Sequence, residues 1–522
     1  MDPSTESFAA SGGEPDAPRA SAAVSARRLA TNALWNIAGQ VLPLLAGIAI
    51  LPILIRSMGL DRYGFITIVW VLIGYAGLFD FGISRAMTRV VAQRLARALP
   101  QEALHVANVS TTFLLFFGLI VGLLMAALSQ VLVDHWLGIP TALREEALHA
   151  FWILCVSIPV VMLTAGYRAC LEAHQQFAIL SVIRVFMGLA TYLGPLLALA
   201  FSVRLEAIVG VVVAMRIVAN AVHAWACRTR CGFRYRPERP DPAITRELFV
   251  LGGWISVSNF VSPLLTYLDR LILGGLVAIR LVAYYATPYD LVSKILIVPY
   301  AMMGVLFPAA AGLEARSEQS RTIYQNAVRA LFVVNFPSIF VFVCLAQPGL
   351  HLWLGADFAE HAAPVLQILA VGLLFNILAQ APATMIQAVG QPKWMAIVHV
   401  FELPIFLLTL WFLTDRFGIV GTASASAVRF AVDALILYVI AGRNLVPESI
   451  RLSVIVFPIA IVVAMLAVAF APKSDLLSLA TAMLGVVAFG AYAWLGVLHA
   501  PERAKALAVL RRWRVARGGG AT

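Results

Sequence analysis

The sequence predicts an all-α fold of the polytopic membrane class, and three observations carry that prediction. Charged residues are only 12% of the 522 residues while hydrophobic residues reach 61%; a soluble domain carries about 25% charged residues. Apolar runs long enough to cross a hydrocarbon core of roughly 30 Å recur along the whole chain. The Lys and Arg residues behind the net charge of +11 fall between alternate runs, as they do in cytoplasmic loops. The basic balance is therefore read as membrane topology, with no nucleic-acid partner.

Residues 1–26 are Ser, Ala, Pro and Gly with mixed charge and hold no apolar core ahead of a cleavage site. They are expected to form a disordered cytoplasmic tail, not a cleaved signal peptide. Arg27 and Arg28 then hold the start of the first helix inside. The stretch from Asn32 to Gln93 reads as a helical hairpin around a polar turn, Arg56 to Arg62, with a basic landing at Arg85, Arg89, Arg94 and Arg97. Apolar runs lie at 33–55, 65–88, 109–132, 149–170, 178–202, 206–226, 249–276, 282–311, 329–347, 362–389, 394–414, 418–441, 452–471 and 476–498, which predicts about 14 spanning helices. Further basic loops run from Arg228 to Arg246, Arg316 to Arg329, Arg443 to Arg451 and Arg503 to Arg517. The loops Asp134–Glu146, Leu350–Ala362 and Ala471–Asp475 are short and near neutral or acidic. This alternation puts both termini inside. The tail carries Leu507, Leu510 and Trp513 among arginines, which fits an amphipathic helix on anionic lipid or a solvated basic tail.

A weak internal repeat organises the chain. Trp35, Gln40, Pro43 and Leu44 resemble Trp254, Asn259, Pro263 and Leu264, and ACLEAHQQF (Ala169 to Phe177) resembles MIQAVGQPKW (Met385 to Trp394), with His174 set opposite Gly390. Six helices separate the copies, so the halves are expected to be related by a pseudo-twofold along the membrane normal, with a substrate site between them. The expected organisation is a tail at 1–26, a six-helix lobe at 27–230, a basic linker at 231–247 and a second six-helix lobe at 248–443. Two additional helices at 444–499 and a basic amphipathic tail at 500–522 complete it.

A charge near the bilayer midplane costs about 2.5–3.5 kcal/mol, so each one should face a cavity or a partner. The cations are Arg184, Arg216, Arg270, Lys294 and Arg429. Together they predict a cationic central cavity for an anionic ligand, and guanidinium groups suit phosphate. The acids Asp80, Asp269, Asp290, Glu402 and Asp433 are candidates for ion coupling, with His399 beside Glu402. A second reading competes: Asp290/Lys294 and Arg429/Asp433, each at i,i+4, would merely neutralise one another. Arg216 has no acid at helical spacing in its own run, followed only by Asn220, so the functional reading is favoured there. Trp70, Tyr75, Tyr267, Tyr284, Tyr285, Tyr289 and Tyr300 could stack on sugar rings or serve as packing and interfacial belts.

The five cysteines are Cys155, Cys170, Cys227, Cys231 and Cys344. Only Cys227 and Cys231 are close in sequence and no His/Cys set surrounds them, so free thiols, no metal and no cofactor are expected. No nucleotide-binding motif or paired-carboxylate loop appears, so the chain is not expected to be an enzyme.

The opening hairpin carries a family resemblance. LPILIRSMGLDRYGF (Leu51 to Phe65) and FDFGISRAMTRVVA (Phe79 to Ala92), through Gly59, Tyr63, Gly64, Asp80, Gly82, Arg85 and Arg89, resemble the polysaccharide transporter family. The loop Gln387 to Lys393 also fits. That family includes the Wzx-type O-antigen and exopolysaccharide flippases of the multidrug/oligosaccharidyl-lipid/polysaccharide exporter superfamily. The resemblance implies a multi-pass protein of the bacterial inner membrane that moves a polyprenyl-diphosphate-linked oligosaccharide to the outer leaflet. Its implied partners are the lipid-linked glycan, membrane lipids, and glycan polymerase or assembly proteins. The alternatives are a drug or cation antiporter of the related extruder branch, which would want an acid-dominated cavity, and a lipid II flippase.

Overall fold

The computed structural model describes residues 19–239, 241–311, 316–391, 393–444 and 474–497, with 464, 467 and 503. Apart from one isolated parallel bridge between Gly138 and Ala278, the described elements are helices. They are α1 (Arg19–Ala76), α2 (Ile83–Ala96), α3 (Pro100–Val131), α4 (Arg144–Ala173), α5 (Phe177–Leu199), α6 (Leu205–Cys231), α7 (Pro242–Leu276), α8 (Ile279–Ser293), α9 (Ile297–Ala310), α10 (Glu318–Leu354), α11 (Ala356–Ala388), α12 (Lys393–Asn444) and α13 (Asp475–Tyr492). Among the described residues, ten helices are long and apolar enough to cross a membrane. The protein is an all-α, multi-pass membrane protein.

The expected fourteen spans map unevenly onto these helices. The predicted turns at Arg56–Arg62 and near 415–417 are single-residue breaks, Gly59 (φ 78°, ψ 165°) in α1 and Gly418 (φ 58°, ψ −135°) in α12. Glycine enters such conformations without a Cβ clash. The run at 65–88 is not one helix. It stops at Ala76, passes through a 3-10 turn (Gly77–Asp80) and restarts as the more polar α2. Phe81 and Gly82 have φ of 48° and 72°, and two left-handed residues in succession cannot continue a right-handed helix. The run at 282–311 also breaks, into α8 and α9 around a 3-10 turn at Lys294–Leu296. The run at 452–471 apart from 464 and 467, residues 1–18, residues 500–522 apart from 503, and the side chains of Trp35, Gln40, Trp254, Asn259 and Pro263 lie outside the described residues, whereas the backbone of 19–26, expected in a disordered tail, forms the start of α1.

Polar contacts tie the helix ends together. At one end Arg94 reaches Glu247 at 3.0 Å and Glu102 at 3.1 Å, joining α2 to α7 and α3. The extended segment 232–239 lies along α3. Asn108 donates to Glu238 (2.7 Å) and accepts from the Arg236 amide (3.0 Å), and His105 pairs with Glu238. Asp241 caps α7 through the Ala243 amide at 2.8 Å, and that bond, with His105 nearby, holds its carboxyl below the usual carboxylate range. Arg316 donates to the Arg443 carbonyl at 3.2 Å, so the residues before α10 meet the last turn of α12. At the other end Glu146 accepts both an Arg62 fork (2.9 and 3.2 Å) and the Leu205 amide (3.2 Å), clamping the Gly59 break to the starts of α4 and α6.

Near the Glu146 end, backbone hydrogen bonds join the segment after α3 to the junction of α7 and α8. Ile279 N–H donates to the Gly138 carbonyl (3.0 Å) and Gly138 N–H to that of Gly274 (2.9 Å). A Cβ on Gly64 would lie 2.2 Å from the Ile279 carbonyl oxygen. Tyr63 and Thr287 share a hydroxyl contact at 3.1 Å. Helix α13 packs on α10, with the Phe489 ring 4.4 Å from Phe336.

The repeated turns after α4 and α11 are superposable in their hydrogen bonds. His174 N–H reaches the Cys170 carbonyl and Val389 N–H that of Met385; Gln176 N–H reaches Leu171, and Gln391 N–H reaches Ile386. The register therefore sets Gln175 (φ 55°), not His174, opposite Gly390 (φ 80°). A non-glycine residue pays about 1–2 kcal/mol in this region, partly offset by glycine's larger unfolded-state entropy. Gln175→Gly is expected to stabilise the protein by up to about 1 kcal/mol and Gly390→Ala to destabilise it by about as much, both read by thermal unfolding in detergent.

Candidate functional site

Two cavities flank the α8–α9 break and share Ser293, Leu296 and Tyr300 in their walls. The first, about 460 Å³, collects Arg184 from α5, Arg216 from α6 and Lys294 from the 3-10 turn. Thr191 and Tyr192 add hydroxyl groups, and no carboxylate belongs to its described lining. Arg216 has no ion-pair partner among the described residues, and its Nε is buried without a hydrogen bond. The break explains Lys294: a continuous helix over 282–311 would leave no turn there to carry it. Pro43 and Gly188 let α1 and α5 approach below this cavity, where a Cβ on Gly188 would meet the Pro43 ring at 2.4 Å.

The second cavity, about 290 Å³, is lined by Arg429, Asp433 and His399, the amides Asn376, Gln380 and Gln387, and Tyr289. Arg429 lies 3.5 Å from Glu402 and stacks over Phe406 and Phe430 at 5.1 and 4.5 Å. It does not pair with Asp433, whose Oδ1 is buried with no hydrogen-bond partner, as are both Glu402 oxygens. The ligand atoms of His399, Glu402 and Asp433 all lie within 4.8 Å of one another. Three groups from α12 thus converge on one point, on either side of the Gly418 break.

Arg270 departs from the expectation of a cavity cation. Only 3% exposed, it donates to Asp290 at 2.5 Å, lies over Tyr289 at 5.1 Å, and gives its backbone N–H to Asp269 at 2.7 Å. Asp269 also accepts the Tyr285 hydroxyl, which contacts Ser426 at 3.2 Å. Asp290 therefore serves Arg270 and not Lys294, because the partner lies across the α7–α8 interface and not along one helix. Asp80 lines neither cavity; its oxygens accept from Gly82 N–H (2.8 Å) and the Ser84 hydroxyl, capping α2. Of the aromatic candidates, Tyr289 and Tyr300 line cavities. Tyr284 donates to Asp357 at 2.6 Å and Trp70 packs between Tyr63 and Tyr192. The side chain of Tyr75 lies outside the described residues. Sequence reasoning missed Thr191, Tyr192, Asn376 and Gln380, which are neutral and so carry no charge signal inside an apolar run.

A family model described as "Polysaccharide biosynthesis protein" matches residues 53–364. A protein of Shigella flexneri named "Putative O-antigen transporter" is 29% identical over 411 residues, covering 78% of this chain and 96% of its own length. "Lipopolysaccharide biosynthesis protein WzxC" of Escherichia coli K12 is 21% identical over 81% of this chain and 82% of its own. Among solved structures, the lipid II flippase MurJ in an inward closed conformation aligns with a TM-score of 0.67 at 12% identity, covering 88% of this chain and 98% of that one. An inward-facing multidrug transporter of the MATE family aligns at 0.62 and 13% identity, covering 82% and 98%. The chain shares its fold with these two proteins.

Removing one partner of a buried ion pair costs about 3–5 kcal/mol, whereas replacing both with apolar groups is often neutral. Asp290→Ala is therefore expected to deplete folded protein from the membrane, and the double variant Arg270→Met/Asp290→Leu to restore it. Immunoblotting of membrane fractions alongside Arg216→Ala, expected at wild-type abundance, checks both.

Proposed function

The chain belongs to the polysaccharide biosynthesis protein family, and on that premise we propose that it flips a polyprenyl-diphosphate-linked oligosaccharide, an O-antigen or exopolysaccharide repeat unit, between the leaflets of the bacterial inner membrane. The observation that carries the reading is the cavity where Arg184, Arg216 and Lys294 converge with no carboxylate in its described lining. At an effective dielectric of about 20, each cation within 4 Å of a phosphate oxygen gains about 4 kcal/mol. That exceeds the insertion cost of about 2.5–3.5 kcal/mol per buried charge. A diphosphate therefore turns an expensive cluster into a binding site, while the polyprenyl tail stays in lipid and the glycan occupies the remaining volume. Flipping needs no covalent chemistry, so the chain acts as a transporter and not as an enzyme.

The basic end, with Arg94, Arg316 and Arg443, faces the cytoplasm on this reading, together with both termini. The backbone contacts near Gly64 and Gly138 are then the closed outer gate of an alternating-access cycle. Glu402, Asp433 and His399 are the coupling site for a proton or metal cation, with Arg429 poised between Glu402 and the cavity. A cationic drug would be repelled by the three-cation cavity, which disfavours an extruder.

The test uses intact cells of a deletion strain complemented with wild type or Arg216→Ala at equal membrane abundance. Lipid-linked oligosaccharide on the inner leaflet and glycan at the cell surface are counted. One charge-assisted contact is worth about 1.5–3 kcal/mol, so the variant is expected to lower surface glycan production about 10- to 100-fold with substrate accumulating inside. Unchanged surface glycan in the deletion strain would sink the flippase reading.

A further inference from the structure

Two of the chain's five cysteines and a histidine meet at one point away from both cavities. Cys170 and His174 sit at i,i+4 at the end of α4, and Cys227 and Cys231 at i,i+4 at the end of the packed helix α6. Residues four apart share a helix face, so two such pairs on facing helices converge. The Cys170 thiol is 3.8 Å from His174 Nδ1, and the ligand atoms of Cys170, His174 and Cys231 all lie within 4.8 Å of one another. The Cys227 thiol, one helical turn before Cys231, donates to the Tyr167 carbonyl at 3.2 Å. All are free thiols; Cys170 and Cys227 are buried, and Cys231 and His174 are half-buried, leaving the cluster a way in.

We propose that Cys170, His174 and Cys231 form a binding site for a soft divalent cation of the zinc class. Thiolate sulfur and imidazole nitrogen are the donor set of structural zinc sites, with metal–ligand distances of about 2.3 and 2.0–2.1 Å. A tetrahedron of those bonds sets donors about 3.5–3.8 Å apart, so the side chains need to close by about 1 Å or less. On binding, the thiols release their protons to solvent and the imidazole ligates in its neutral form. The backbone is already set: His174 Nδ1 lies 2.8 Å from the Cys170 carbonyl, and Phe233 N–H reaches back to the Cys227 carbonyl at 3.1 Å. The metal would staple the ends of α4 and α6 where the 232–239 segment leaves α6. The expectation that no His/Cys set surrounds Cys227 and Cys231 fails because two of the partners come from another helix.

The test uses the purified full-length protein, reduced, in lipid nanodiscs and carrying no histidine tag. Titration with Co²⁺ is expected to raise a thiolate-to-cobalt charge-transfer band that saturates at one ion per chain and is lost on adding equimolar Zn²⁺. Cys170→Ser/Cys231→Ser is expected to lose the band, and His174→Ala to weaken binding at least about 10-fold. In the wild type, Zn²⁺ should also protect Cys170 and Cys231 from alkylation, read by peptide mass spectrometry. A band that never saturates at one equivalent, an unchanged band in the double serine variant, or alkylation indifferent to Zn²⁺ would each overturn the proposal.

Discussion

Arg270 meets Asp290 across the interface of α7 and α8, one turn before the point where the α8–α9 helix breaks. An unpaired guanidinium at that depth would cost several kcal/mol, so the two helices are held at a fixed offset. Asp269 extends the constraint by accepting from Tyr285, which in turn contacts Ser426 on α12. Three helices are thereby locked around one cation. The break that follows brings Lys294 to the wall opposite Arg184 and Arg216. The binding surface thus depends on a charge that does not itself line it.

The same logic sorts every intramembrane charge into two kinds. Those whose partner is within bonding distance and whose surroundings are closed, such as Arg270, maintain the packing. Those that border open volume without a matching opposite charge, such as Arg216, are available to a ligand. Arg429 is intermediate: its ion pair with Glu402 is long, at 3.5 Å, and its face is covered by two phenylalanine rings. Cation–π contact supplies part of the compensation that a carboxylate would otherwise give.

Much of this was legible in the sequence because hydrocarbon imposes length and polarity rules on every span. The helical class, the turns near 59 and 418, and the cations Arg184, Arg216, Lys294 and Arg429 that border the cavities, among the five named, followed from apolar runs and from the charges interrupting them. What was illegible shares a cause: it lies in relations between helices. Charges at i,i+4 named the wrong partner for Asp290, because spacing along one helix is blind to its neighbour. The end of α1 was overrun because Phe81, an ordinary apolar residue, takes a left-handed conformation. The one-residue offset between the repeated turns arose because residue likeness set His174 opposite Gly390, where the backbone sets Gln175. Neutral residues such as Tyr192 and Asn376 gave no signal at all.

The contact of Gly64 and Gly138 with the α7–α8 junction runs through main-chain atoms. Peptide groups are the same in every residue, so most side chains around this seam are free to drift without altering its donors and acceptors. Only the size limit is inherited: a methyl group at Gly64 or at Gly138, where a Cβ would lie 2.5 Å from the Val277 carbonyl oxygen, would prise the seam apart. The seam can therefore keep its geometry while nearby side chains change, provided both positions stay small.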